Sequence, residues 1–168
     1  MAQLKYDKKT GRLLFTKQMK REGYKILIPN MAPIHFKMLK NVFVHYGYNA
    51  EVLTTTGPEI AQTGLKYVHN DTCYPALLVI GQFLDALNSG KYDLDHTALI
   101  ITQTGGGCRA SNYIHLLRKA LVKAGYPQVP VVSLNFSGLE KDSGFPITIP
   151  FMRKLLAIIY YGDLLVTL

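Results

Sequence analysis

Apolar residues along this chain fall into short continuous runs, and between the runs they recur with helical spacing. Tyr24 to Ile28 is such a run, stopping at Pro29-Asn30 where the proline cannot donate to a ladder, and is predicted as a strand. Pro33 then opens a helix in which Ile34, Met38, Leu39, Val42 and Phe43 recur at three- and four-residue spacing up to Tyr46, with Gly47 as C-cap. Ala50 to Thr54 is a second strand. A helix over 58–67 leads into His69-Asn70-Asp71-Thr72-Cys73-Tyr74-Pro75, and a longer helix over Ala76 to Asn88 ends at Ser89-Gly90. His96 to Gln103 is the most apolar strand. It is followed by Thr104-Gly105-Gly106-Gly107-Cys108-Arg109 and a helix from Ser111 to Ala124. Val129 to Leu134 is the fourth strand, and a last helix starts near Thr148-Ile149-Pro150. Strands alternating with helices predict an α/β fold, three-layered and Rossmann-like, with a mainly parallel sheet of about four strands covered on both faces. Ahead of it, residues 5–19 place a polar turn, Asp7 to Gly11, between short apolar pieces. Residues 1–23 therefore read as a basic arm or hairpin beside a domain of residues 24–168.

Composition sharpens this in three places. The chain has 168 residues, 48% apolar and 18% charged, enough to fold around one core and too apolar for disorder. Its net charge of +8 first points to nucleic acid, but residues 1–25 hold eight basic against two acidic residues, and the rest is nearly balanced. No basic stripe with interleaved aromatics runs through the folded part, so nucleic acid is not the expected partner. The two cysteines, with no signal peptide in this sequence, do not form a secreted disulfide framework, and a reducing cytoplasm is the expected compartment. The longest apolar run, the 14 residues Leu155 to Leu168, is interrupted by Gly162-Asp163 and falls short of the roughly 20 needed to span a bilayer. It reads as a buried helix. The absence of a polar tail after it points to a fragment of a larger protein or a subunit that docks its C-terminus on a partner.

Ligands of open parallel sheets bind outside the carboxyl ends of the strands. Three loops lie there: Pro29 to Pro33 with Asn30, the segment around Cys73, and Thr104 to Arg109. Both cysteines thus precede helices rather than sitting in apolar stripes, a position whose amides and dipole favour thiolate, as a nucleophile or a metal ligand requires. A phosphatase loop fails, because it needs an arginine six residues after the cysteine and position 114 is isoleucine. The 34 residues between the cysteines exclude a Cys-x-x-Cys redox pair, and zinc ribbons need two close pairs. A Cys-His nucleophile stays open. His45 and His115 fall within helices as surface or packing residues, whereas His69 shares the Cys73 loop with Asn70 and Asp71. Gly105-Gly106-Gly107 can cradle a phosphate at a helix start, let backbone approach a bulky inorganic group, or simply make a tight turn.

The segments Ile28-Pro29-Asn30-Met31-Ala32-Pro33-Ile34-His35-Phe36, Asn70-Asp71-Thr72-Cys73-Tyr74-Pro75-Ala76 and Thr102-Gln103-Thr104-Gly105-Gly106-Gly107-Cys108-Arg109-Ala110-Ser111-Asn112-Tyr113 resemble the dehydratase-like region of the large acyl-CoA dehydratase activase-related proteins. These are relatives of 2-hydroxyacyl-CoA dehydratases and benzoyl-CoA reductases. The resemblance runs from about Phe15 to Leu168. It implies ATPase modules of the activase type, in the same polypeptide or as an ATP-dependent partner, and an acyl-CoA substrate. It also implies a 4Fe-4S cluster passing single electrons at low potential, with Cys73 and Cys108 at two ligand positions. Asn30, Asn70, Asp71, Gly105, Gly106, Gly107 and Arg109 then become loop support or cofactor contacts. The chain departs from the family in having no third cysteine. A third ligand would come from another part of the protein, from a partner, or from a group such as His69; otherwise no cluster is bound. No motif here matches the family's catalytic base or acyl-CoA pocket.

Overall fold

The computed structural model describes residues 4–8, 11–69, 71–103, 113–135 and 148–168. Among these residues four parallel strands make the sheet: β3 (Lys25–Ile28), β4 (Asn49–Val52), β5 (Thr97–Gln103) and β6 (Val131–Asn135), in the order β4-β3-β5-β6. A two-stranded antiparallel hairpin, β1 (Lys5–Tyr6) and β2 (Leu13–Leu14), precedes it and packs beside β6, blunting an edge that would otherwise present unpaired backbone. The helices are α1 (Lys17–Arg21), α2 (Pro33–His45), α3 (Pro58–Tyr67), α4 (Tyr74–Asn88), α5 (Tyr113–Ala124) and α6 (Ile149–Thr167). The predicted α/β, Rossmann-like three-layer fold is the one observed.

Alternation along the strands builds two cores. Ile26, Ile28, Ala98, Ile100, Val132 and Leu134 face α2 and α6, while Leu27, Leu99, Ile101 and Val131 face α4 and α5. Phe15 and Met19 join the first core at 3% and 0% exposure, so residue 23 is no break in packing. The hairpin is peripheral, but α1 is bolted to the domain because a methionine and a phenylalanine have apolar surface to bury there. The C-terminal helix also differs from expectation. It runs through Gly162-Asp163 to Thr167 and is buried on one side only. Gly162 does not break it, because α2 passes so close that any side chain at this position would collide with the His35 ring.

The order of the strands locates the functional edge. The chain leaves β3 to form β4 on one side, then crosses back over the sheet to form β5 on the other side of β3. The winding direction therefore reverses between β3 and β5, with α2 and α5 on opposite faces of the sheet, and ligands of such sheets bind at the carboxyl edge.

At the opposite end, Glu51 ties β4 to its surroundings. Its carboxylate accepts from Lys91 Nζ at 2.8 Å and Tyr92 Oη at 2.8 Å, and lies 3.4 Å from Lys25 Nζ. The hydrogen bond from Lys91, helped by those from Tyr92 and Lys25, lowers its pKa to about 2 from 4.5. Because the folded value is depressed, the stabilisation is complete above pH 4.5 and disappears as pH falls towards 2. Glu51 is partly exposed, so solvent screening leaves about 1 kcal/mol of this effect. Glu51→Gln should remove that much of the acid-induced loss of stability, read as the difference between wild type and variant in urea midpoints above and below this window. Parallel pH profiles would contradict it.

Candidate functional site at the carboxyl edge of the sheet

Beyond the ends of β3 and β4 lies a cleft of about 420 Å³, lined among others by Asn30, Thr55, Tyr74, Pro75, Leu78 and Gln82. Its framework is a side chain the sequence reading passed over. Gln82 sits in the apolar face of α4, only 6% exposed, and spans two strand ends. Its Oε1 accepts from the Asn30 backbone N–H at 2.9 Å, and its Nε2 donates to the Thr55 carbonyl at 2.8 Å. A buried amide satisfied at both ends is worth its desolvation, whereas an unpaired one is costly. The signal was present in the sequence as a polar residue inside the run Ala76-Leu77-Leu78-Val79-Ile80-Gly81-Gln82-Phe83-Leu84.

Asn30, expected as a loop-support residue, is at this edge, but its side chain is not settled. Oδ1 is buried and finds no hydrogen-bond partner among the described residues. Such an acceptor costs about 1–3 kcal/mol unless a donor reaches it. The cleft beside it is open to a ligand that brings an N–H or O–H.

Cys73 stands at the start of α4, roughly 13 Å of helix rise beyond Gln82. Pro75 lies in the first turn, where a missing N–H removes no intrahelical bond, so the helix begins at Tyr74 rather than at the predicted Ala76. The thiol does not cap the helix. It is partly buried, and Sγ lies 3.1 Å from the hydroxyl of Tyr113, the first residue of α5. The contact joins the start of α4 to the start of α5. Asn70, Gly105, Gly106, Gly107, Cys108 and Arg109 lie outside the described residues.

His69 and Asp71 pair with each other in the exposed loop before Cys73, with Nδ1 3.2 Å from Oδ2 and the Asp71 amide donating to the same ring nitrogen at 3.3 Å. Among the described residues, which do not include Cys108, no three His, Cys, Asp or Glu side chains converge as metal ligands. His45 is exposed at the end of α2, as expected of a surface residue. His35 instead clasps α2 to α6, with Nε2 3.0 Å from Asp163 Oδ1.

Comparison with protein-family models, with curated proteins and with solved structures found no match. No helix among the described residues is long and apolar enough to cross a membrane. The site therefore offers a half-buried thiol beside a phenol at the start of α4, and, in the cleft along the first half of the same helix, an acceptor with no partner among the described residues.

Proposed function

We propose that the chain is a domain of a 2-hydroxyacyl-CoA dehydratase/activase-related protein, in which Cys73 and Cys108 are thiolate ligands of an iron–sulfur cluster completed from elsewhere. The observation that carries the reading is the contact between Cys73 Sγ and Tyr113 Oη at 3.1 Å. It joins Cys73 to the first residue of α5, five positions after Cys108 in sequence, on the side where an open parallel sheet binds its ligand. A phenol at hydrogen-bond distance from a sulfur is also the kind of neighbour that tunes a thiolate ligand.

The donor set of this chain is incomplete by itself. Its two cysteines fall short of the four thiolates usual for a 4Fe-4S cluster. Another domain of the same polypeptide or a partner chain supplies the remainder in this reading, and the ATP-dependent activase is the partner the family resemblance names. A cluster held there supplies single electrons at low potential. The chain's own share is two thiolates, a phenol that can donate to one of them, and a cleft on the same side of the sheet.

Reconstitution with iron and sulfide without oxygen, in the presence of that partner, should give protein-bound iron and charge-transfer absorbance. Both should fall in Cys73→Ser and in Cys108→Ser. Iron no higher than in a Cys73→Ser/Cys108→Ser control would sink the proposal. A second reading, an acyl-CoA or nucleotide module without metal, is favoured by the Asn30 Oδ1, which has no partner among the described residues. Iron-free protein whose melting temperature rises with coenzyme A or a nucleotide, and no longer does so in Asn30→Leu, would select it.

A further inference from the structure

Helix α6 buries Phe151, Leu155, Ile158 and Gly162, and leaves its opposite face bare. There Ile149, Leu156, Tyr160 and Leu164 are 80%, 56%, 82% and 54% exposed. A helix covered on one side and still apolar on the other has a second surface to bury. With the exposed Arg153, Asp163 and Thr167, the outward positions are 149, 153, 156, 160, 163 and 167, stepping alternately by four and three. That is the seam spacing of a coiled coil. The seam also has mirror symmetry in position about Ile158, pairing 149 with 167, 153 with 163, and 156 with 160.

We propose that this face docks on α6 of a second copy of the chain, antiparallel, with the two-fold axis passing between Leu156 and Tyr160. Charge complementarity selects both occupant and direction. Arg153 and Asp163 are the charged residues of the seam, since the Lys154 ammonium lies 5.1 Å over the Tyr46 ring at the side of the helix. In a parallel pair, arginine meets arginine and aspartate meets aspartate. In the antiparallel pair, Arg153 of each copy meets Asp163 of the other, and Leu156 stacks against Tyr160 on both sides of the axis. The Asp163 side chain is 73% exposed while it contacts His35, which leaves room for a second cation. One pair of helices about 28 Å long buries several hundred Å² per copy, less than the roughly 800 Å² of a standard interface. The dimer should therefore dissociate in the micromolar range.

Sedimentation equilibrium of the full chain, from low to several hundred micromolar, should show the mass rising from 18.8 kDa towards twice that value. Arg153→Asp should weaken association about tenfold or more, and the exchange Arg153→Asp/Asp163→Arg should restore it. Tyr160→Glu, at a position 82% exposed, should abolish the dimer with an unchanged circular dichroism spectrum, and gives a readout independent of the His35 contact. A monomer at every concentration, or a dimer indifferent to Arg153→Asp and Tyr160→Glu, would overturn the proposal. So would a monomer that sediments with anionic phospholipid vesicles, which would assign the face to a lipid surface.

Discussion

Gly81→Ala is expected to destabilise the domain by about 3 kcal/mol, against a helix-propensity gain of about 1 kcal/mol that the same change would bring at an open position. The reason is the crossing of α3 and α4. A Cβ on Gly81 would fall inside contact distance of the Ile60 carbonyl oxygen, and one on Gly64 would meet the Leu77 carbonyl in the same way. Each glycine thus accommodates the backbone of the other helix, one turn apart on both. Backbone cannot swing aside like the end of a side chain, so relief requires separating the helices, and their shared packing is lost with it. For a domain of this size the change corresponds to a fall in melting temperature of roughly 6–12 °C. A fall under about 2 °C would show that the helices separate at little cost. The site would feel the shift too, because α4 carries both Gln82 and Cys73.

Phe43→Ala should cost about 3–5 kcal/mol in urea unfolding. Phe43 is fully buried on the inner face of α2, where it meets Phe151 of α6 edge-on at 5.4 Å and Tyr48 at 5.7 Å. Truncation would remove apolar transfer energy, leave a cavity bounded by three elements, and abolish two aromatic contacts worth about 0.5–1.5 kcal/mol each. Phe43→Leu keeps most of the volume and should cost clearly less. Equal costs for the two variants would mean that the aromatic geometry, rather than the filled space, is what matters at this position.

The strands of this protein were legible because a parallel sheet covered on both faces reads as continuous apolar runs, as in Ala98 to Ile101. The ends of elements were less so. Val129 is buried, but the ladder begins at Val131, since Pro130 offers only its carbonyl, which accepts from the Leu99 amide. His96 lies in a short 3₁₀ turn rather than the strand, because Asp93 caps that turn through the Asp95 amide and also holds the His96 ring at 2.6 Å. The short helix α1 escaped notice because five residues with one buried side chain carry no periodicity. At the site, cysteines, histidines and glycines drew attention by their chemistry. Gln82 and Tyr113 did not, because what they do depends on partners 52 and 40 residues away.

Gln82 also separates two things that loops usually have to accomplish together. The residues just past the ends of β3 and β4 are tied by a side chain projecting from α4, which binds only main-chain atoms of Asn30 and Thr55. Side chains in the two loops can therefore change without altering the distance they bridge. The mouth of the cleft keeps its gauge while its lining is free to evolve, and relatives built on this frame could admit different guests through the same doorway.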